Sequence, residues 1–422
     1  MQRKKSGVFY GYWVLLVAFL CQATSAGITY YPFGLFVKPL SDDFGWSRGE
    51  IMVGSTIMAL VGALLSPFFG RLIRRFGAKK TIAAGAIVLS AGMLLLSRIQ
   101  TLWQFYLLFF VIGVGTAGMA IVPGSIVVAN WFERRRGFAI GILGAGIGVG
   151  GFAIPPVMGG VLIPGFGWRT TLVVTGLLPI ILIVPLTVLV LREKPSDMGL
   201  RPDGATPEGA AAEKKKRESN NPGLDLQTAR RTPAFWLVAI AFTAFSIPCM
   251  ATFSNQVPHL QDIGFPVAAA ASAISAVGVG SAAGKFGFGW LCDYMKSKYA
   301  LAAGIVLQAG AILILMNVRP DSSVALIWLE ALMLGLGLGS WLPSMTMTVS
   351  STFGLASYGA IFGFINMLFS LGAAISPVAA GYIFDMQKSY SLVFVLSLVL
   401  YAVALPSILL VRRPNAGKTG EW

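Results

Sequence analysis

Lys285 is the residue whose type and position most limit the chemistry of this chain. It lies in an apolar run, eight residues before Asp293. At about 1.5 Å per helical residue it sits roughly 12 Å deeper than that acid, close to the middle of a bilayer. An ammonium at that depth costs at least about 2.5 kcal/mol. An acidic partner, a water-filled cavity or an anionic ligand offsets a cost of that kind. One turn away on either side stand Ser281 and Gly289, so its own helical face carries no acid. Gly278, Ser281, Gly284 and Gly287 are small and leave room around it. The spacing points to a cation that faces a central cavity and pairs with a substrate carboxylate. The competing reading is a structural lysine paired with an acid from another helix.

Two further groups are candidates to carry a proton beside Lys285 itself. Glu330 lies one or two turns into its apolar run, and His259, the only histidine, lies near the end of another. Histidine titrates near neutrality, and ionisable groups inside a membrane mark coupling sites. The plainer alternatives are an interfacial glutamate and a loop histidine. Tyr30 and Tyr31, with Asn255 and Gln256, are candidates to line the outer half of a cavity. For the tyrosines an interfacial aromatic belt is the alternative. Cys21, Cys249 and Cys292 lie in or at the ends of apolar stretches, with no disulfide or metal spacing. With no nucleophile, metal or paired-carboxylate constellation, the chain is not expected to be an enzyme or to carry a cofactor.

These groups must be positioned by membrane-spanning helices. Hydrophobic residues make up 56% of the 422 and charged residues 12%, about half the charge of a soluble domain. A bilayer has to solvate that much apolar surface. Runs at roughly 9–38, 49–70, 79–98, 103–129, 137–163, 170–191, 234–256, 266–291, 299–317, 323–350, 357–384 and 390–411 are each long enough to cross. The first is too long for a signal-peptide core. Of the 32 Lys and Arg, 25 fall in the termini and alternate loops on one side, and six on the other. The positive-inside rule places both termini in the cytoplasm. The net charge of +15 sits in short clusters between apolar runs, which argues against nucleic acid. Residues 192–232 are polar and contain Lys214-Lys215-Lys216-Arg217; they read as a cytoplasmic linker whose basic run is a tether near anionic lipid.

The two sides of that linker repeat. Asp43-Phe44-Gly45-Trp46 resembles Asp262-Ile263-Gly264-Phe265, Gly70-Arg71-Leu72 resembles Gly289-Trp290-Leu291, and Gly85 resembles Gly304, all at one offset of 219 residues. The expected fold is all-α: twelve transmembrane helices in two parallel six-helix bundles, 1–191 and 233–422. Such repeats build a site at their interface and rock around it.

The loop from Gly70 to Lys80, with Arg71, Arg74 and Gly77, resembles the signature loop between helices two and three of the major facilitator superfamily. That family usually has Asp where this chain has Arg74. The resemblance implies a conformational latch there, with Gly289 and Asp293 as its counterpart; charge anchoring of topology is the alternative. Within the superfamily the chain resembles the oxalate/formate antiporter and monocarboxylate transporter group. Asn130-Trp131-Phe132-Glu133-Arg134-Arg135-Arg136-Gly137, Arg231-Thr232-Pro233-Ala234-Phe235-Trp236, Gly284-Lys285-Phe286-Gly287-Phe288-Gly289 and the phrase from Lys194 to Gly204 carry that likeness.

The resemblance implies a substrate-binding arginine at the position of Lys285. Lysine keeps the charge and loses the bidentate fork. The oxalate antiporter's second cation falls at Ile365, with Asn366 beside it. A single cation favours one carboxylate: lactate, pyruvate or formate rather than oxalate. The monocarboxylate carriers' acid and helix-one lysine fall at Ser281 and Tyr31, so the family's proton route is not copied intact. The expectation is a carrier in the cytoplasmic membrane, a monomer, moving a small monocarboxylate with protons by alternating access. The rivals are a carboxylate exchanger and a non-transporting sensor on the same fold.

Overall fold

In hydrocarbon every backbone polar group must be satisfied internally, which favours helices. The described regular elements are all helical. The structure is a computed structural model, and it describes residues 9–119, 121–132, 136–200, 202, 224–354 and 357–414. The run Lys214 to Arg217 lies outside them.

The amino-terminal half holds α1 (Gly11–Ile28), α2 (Phe33–Phe44), α3 (Arg48–Phe76), α4 (Ala78–Leu96), α5 (Leu102–Met119), α6 (Ile121–Trp131), α7 (Arg136–Val157), α8 (Ile163–Leu178) and α9 (Val184–Leu189). A short α10 (Leu226–Arg230) leads into α11 (Pro233–Ile263), α12 (Val267–Tyr294), α13 (Ser297–Asn317), α14 (Val324–Phe353), α15 (Tyr358–Gln387) and α16 (Ser391–Leu409).

Eleven segments among the described residues are long and apolar enough to cross a membrane. One of them, Phe138–Leu189, is 52 residues long, roughly 78 Å of helix against about 30 Å of hydrocarbon. It turns back at Gly167, whose φ of 77° is open to glycine at no steric cost. Just past the turn, Trp168 donates to Asp43 at the end of α2. At the other end of the segment Val190 accepts from the Tyr10 hydroxyl near the start of α1. The two readings at 137–163 and 170–191 are therefore the two limbs of one segment.

The first expected span is also divided. Pro32 has no N–H to donate, and Tyr31 N reaches back to Ala26 O, five residues earlier. The helix breaks at 29–32 and resumes as α2, which runs on to Phe44 rather than ending near 38.

The repeat appears in the packing. Gly45 and Gly264 both end a helix in the left-handed conformation, φ 69° and 110°. Gly85 packs on the backbone of Gly118, and Gly304 packs against Gly337. Both members of the first pair lie 219 residues before their counterparts. Across the halves, α2 meets α11, α3 meets α15, and α7 meets α12.

Candidate substrate site and the closure between the halves

Helix α12 carries Lys285 on the face away from lipid. Val279, Phe286 and Trp290 form one stripe and are 43%, 56% and 59% exposed. At about 100° per residue, Ser281 and Lys285 lie on the opposite side. Ser281 is buried and Lys285 half-buried. Among the described residues Lys285 makes no hydrogen bond and no ion pair.

The glycines show where Lys285 sits between the halves. Gly148 and Gly278 bring α7 and α12 together: a Cβ on Gly278 would lie 2.7 Å from Phe152 N, and one on Gly148 would lie 2.9 Å from Ala282 Cβ. One turn nearer the linker on the same face of α7, Gly144 and Gly141 have nothing within 4 Å. On α12 the matching position, Gly289, is equally open. The two helices touch through 278 and 282 and have parted by 289. Lys285 lies at the point of parting.

Tyr31 closes this point from the other half. The break at Pro32 lets its ring lie against Gly151 of α7 and edge-on to Phe253 of α11, centroids 5.3 Å apart. Its hydroxyl neighbours that of Ser281. Tyr31 thus meets Ser281, one turn from Lys285 on the same helix. Tyr30 is 40% exposed at the same break.

The other expected residues lie elsewhere. Asn366 is half-buried, with no hydrogen bond joining it to Lys285 among the described residues. Asn255 does not line an open outer cavity. It is buried, donates to Ala251 O and accepts from the Tyr390 hydroxyl. Glu330 is not interfacial: it is fully buried and accepts from the Gln256 amide, while its Oε1 has no partner among the described residues. Gly339 abuts Lys285 N, and Glu330 is nine residues farther along α14, roughly 13 Å away on the axis. Glu330 and Lys285 are therefore not a pair. His259 lies within α11 rather than in a loop, edge-on to Tyr390 and Phe394, with Nε2 buried and unpartnered among the described residues.

Of the latch positions, the side chains of Gly70, Arg71, Arg74 and Asp293 lie outside the described residues. Gly77 turns α3 into α4 at φ 87°, and a Cβ there would meet the Glu193 carboxylate. That carboxylate accepts from Lys79 N at the start of α4, a favourable place for negative charge.

The sequence reading missed the strongest contact between the halves. At the end of the molecule far from the linker, Arg48 donates from both terminal nitrogens to Asp262, at 2.6 Å each, and to the Tyr390 hydroxyl at 3.0 Å. Its guanidinium also lies 3.9 Å from the Phe384 ring centroid. Asp385 accepts from Arg48 N and Gly49 N at 3.0 and 2.7 Å, a carboxylate held on the N-terminus of α3. Ser47 and Glu50 complete a capping box at the same terminus. A bidentate arginine–carboxylate pair with two further partners is a strong closure. No local pattern joins this terminus to Asp262 and Asp385, 214 and 337 residues away.

Closure at one end and parting at the other, around a cation unpaired among the described residues, is the geometry of a solute carrier caught facing one side. The Major Facilitator Superfamily profile matches residues 15–377 and 258–421, and the chain belongs to that family of membrane transporters. Bovine monocarboxylate transporter 13 is 24% identical over 394 residues, covering 92% of this chain and 86% of that one. The oxalate:formate antiporter of Oxalobacter formigenes is 27% identical over 256 residues, 60% of this chain and 56% of that one. Among solved structures, a bacterial homologue of the human lysosomal transporter Spinster, inward-facing and unoccupied, superposes with a TM-score of 0.67 at 17% identity, over 97% of this chain and 95% of that one.

Proposed function

We propose that this transporter carries a small monocarboxylate such as lactate, pyruvate or formate, coupled to protons. One observation carries the reading: Lys285 has no acid beside it among the described residues and stands where the halves part. A solute with one carboxylate supplies the missing charge, and Tyr31 and Ser281 offer hydroxyls beside it. A second carboxylate would have no cation in a low-dielectric site. The names of the relatives agree with a carboxylate cargo.

The full arrangement we infer is twelve spans in two six-helix bundles, 1–191 and 233–422, joined by a cytoplasmic linker at 192–232. The reversal at Gly167 supports the count, and the asymmetry of Lys and Arg supports cytoplasmic termini and a place in the cytoplasmic membrane. The linker end is then the inner side, and the Arg48 clasp closes the outer one. Cargo enters when the clasp is open, pairs with Lys285 and leaves when α7 and α12 part. The latch loops at Arg71, Arg74 and Asp293 lie on the side that must close in return.

Glu330 is the proton carrier in this reading. Its carboxyl is buried beside the Gln256 amide, and its other oxygen has no partner among the described residues. A proton there removes the cost of burying a charge. His259 and Lys285 are the other coupling groups. An exchanger is the second reading, favoured by the likeness to the oxalate:formate antiporter.

Proteoliposome uptake of labelled lactate, pyruvate, formate and oxalate, with and without a pH gradient, tests this. Monocarboxylate uptake should follow an inward proton gradient without internal substrate. Uptake that needs internal counter-substrate and ignores the gradient supports exchange instead.

A further inference from the structure

The linker end of the carboxy-terminal half holds a recess apart from Lys285. It encloses about 460 Å³ between the ends of α12, α14 and α16 and the start of α13. Lys296, Lys298, Arg412 and Arg413 line it, and no acid does so among the described residues. The side chain of the neighbouring Asp293 lies outside them. Lys298 is engaged, donating to Leu409 O at 2.9 Å and Val411 O at 3.3 Å. The side chains of Lys296 and Arg412 make no ion pair or hydrogen bond among the described residues.

Three independent features point the same way. Helix α13 starts at the recess, and among the described residues no side chain caps its positive end. Thr352, 8% exposed, lines the recess with a hydroxyl that finds no partner among the described residues. Met295, Met347 and Val411 add apolar lining beside the cations. Free phosphate would gain nothing from that lining, whereas a headgroup with the start of its acyl chains fits both parts. Trp290, Tyr294 and Tyr299, 59%, 75% and 47% exposed, mark the depth at which headgroups lie.

We propose that this recess binds the phosphate of an anionic phospholipid, with Lys296 and Arg412 as its cations, Thr352 as a donor and α13 as its dipole. The site is separate from Lys285 and stands whether or not the cargo is a monocarboxylate.

The test is native mass spectrometry of the full chain, delipidated and titrated with phosphatidylglycerol, phosphatidylcholine or inorganic phosphate. The parent should bind phosphatidylglycerol more tightly than phosphatidylcholine. Lys296→Gln with Arg412→Gln should weaken phosphatidylglycerol alone by about 30-fold, roughly 2 kcal/mol for two surface cations at tenfold per 1.4 kcal/mol. Lys79→Gln with Lys80→Gln, on the same face but outside the recess, should change nothing. An unchanged affinity in the first variant overturns the proposal, and so does an equal loss in the second, which would show diffuse attraction. Displacement of the lipid by inorganic phosphate at equal concentration would assign the recess to a soluble anion and overturn the lipid. Should the first variant fail to fold, Thr352→Val keeps every charge; unchanged phosphatidylglycerol binding there counts against the site.

Discussion

The two ends of the interface between the halves are built from opposite materials. At the far end, charge is matched: the Arg48 guanidinium meets Asp262 and Tyr390, Asp385 accepts from the backbone at the start of α3, and the glycines of α7 and α12 are in backbone contact. Toward the linker, charge is unmatched: Lys285 stands alone among the described residues, and Gly141, Gly144 and Gly289 face open space. A contact satisfied within the protein can hold a state closed. A group left unsatisfied can be completed only by something that arrives. In the proposed cycle the matched end gates and the unmatched middle recognises cargo.

The largest effect should come from removing the unmatched charge. Lys285→Gln should lower carboxylate uptake at least about 30-fold, since losing one member of a desolvated charge pair costs about 2–5 kcal/mol. Initial rates at fixed protein in the membrane read this directly. Lys285→Arg should retain most of the rate, because charge is kept.

Breaking the matched end comes next. Arg48→Gln leaves Asp262 without its cation, and should shift the population away from the linker-open state by about 2 kcal/mol, near 30-fold. Distances between spin labels on α7 and α12 near the linker should shorten. Labels that keep the parental distances would show that the clasp does not set the equilibrium.

Glycine packing can be tested independently of charge. Gly278→Leu drives a side chain into Phe152 N of α7 and should cost about 1–3 kcal/mol of the closed far end. Transport should fall roughly tenfold, with the protein still monodisperse in detergent. Glu330→Gln keeps an oxygen for the Gln256 amide, so uptake should lose its response to a pH gradient while thermal stability stays close to parental. The smallest effect is Ser47→Ala, about 1 kcal/mol from the capping box of α3, seen as a slightly lower melting temperature.

The sequence made the membrane architecture readable because apolar length, charge asymmetry and the 219-residue offset are properties of local composition. Lys285 was readable because a charge in an apolar run stands out wherever the helix goes. Arg48 was not, because its meaning depends on Asp262 and Asp385, which lie 214 and 337 residues away. Asn255 shows the same limit from the other side. A polar residue in an apolar helix announces that it has a partner, but not that the partner is Tyr390 rather than a solute. Among the glycines of α7, only the structure separates Gly148, in contact, from Gly144, in the open. The break at 29–32 followed Pro32, a residue tolerated in many other helices here, so it gave no warning that Tyr31 would be turned inward.

Equilibrium binding of labelled lactate, pyruvate or formate to the purified parent and to Lys285→Gln is the most direct measurement, because it requires no turnover and no gradient. The account predicts saturable binding of a monocarboxylate to the parent, retained in Lys285→Arg and lost in Lys285→Gln. Parental affinity in Lys285→Gln would contradict it, and would place the anion's counter-charge somewhere other than α12.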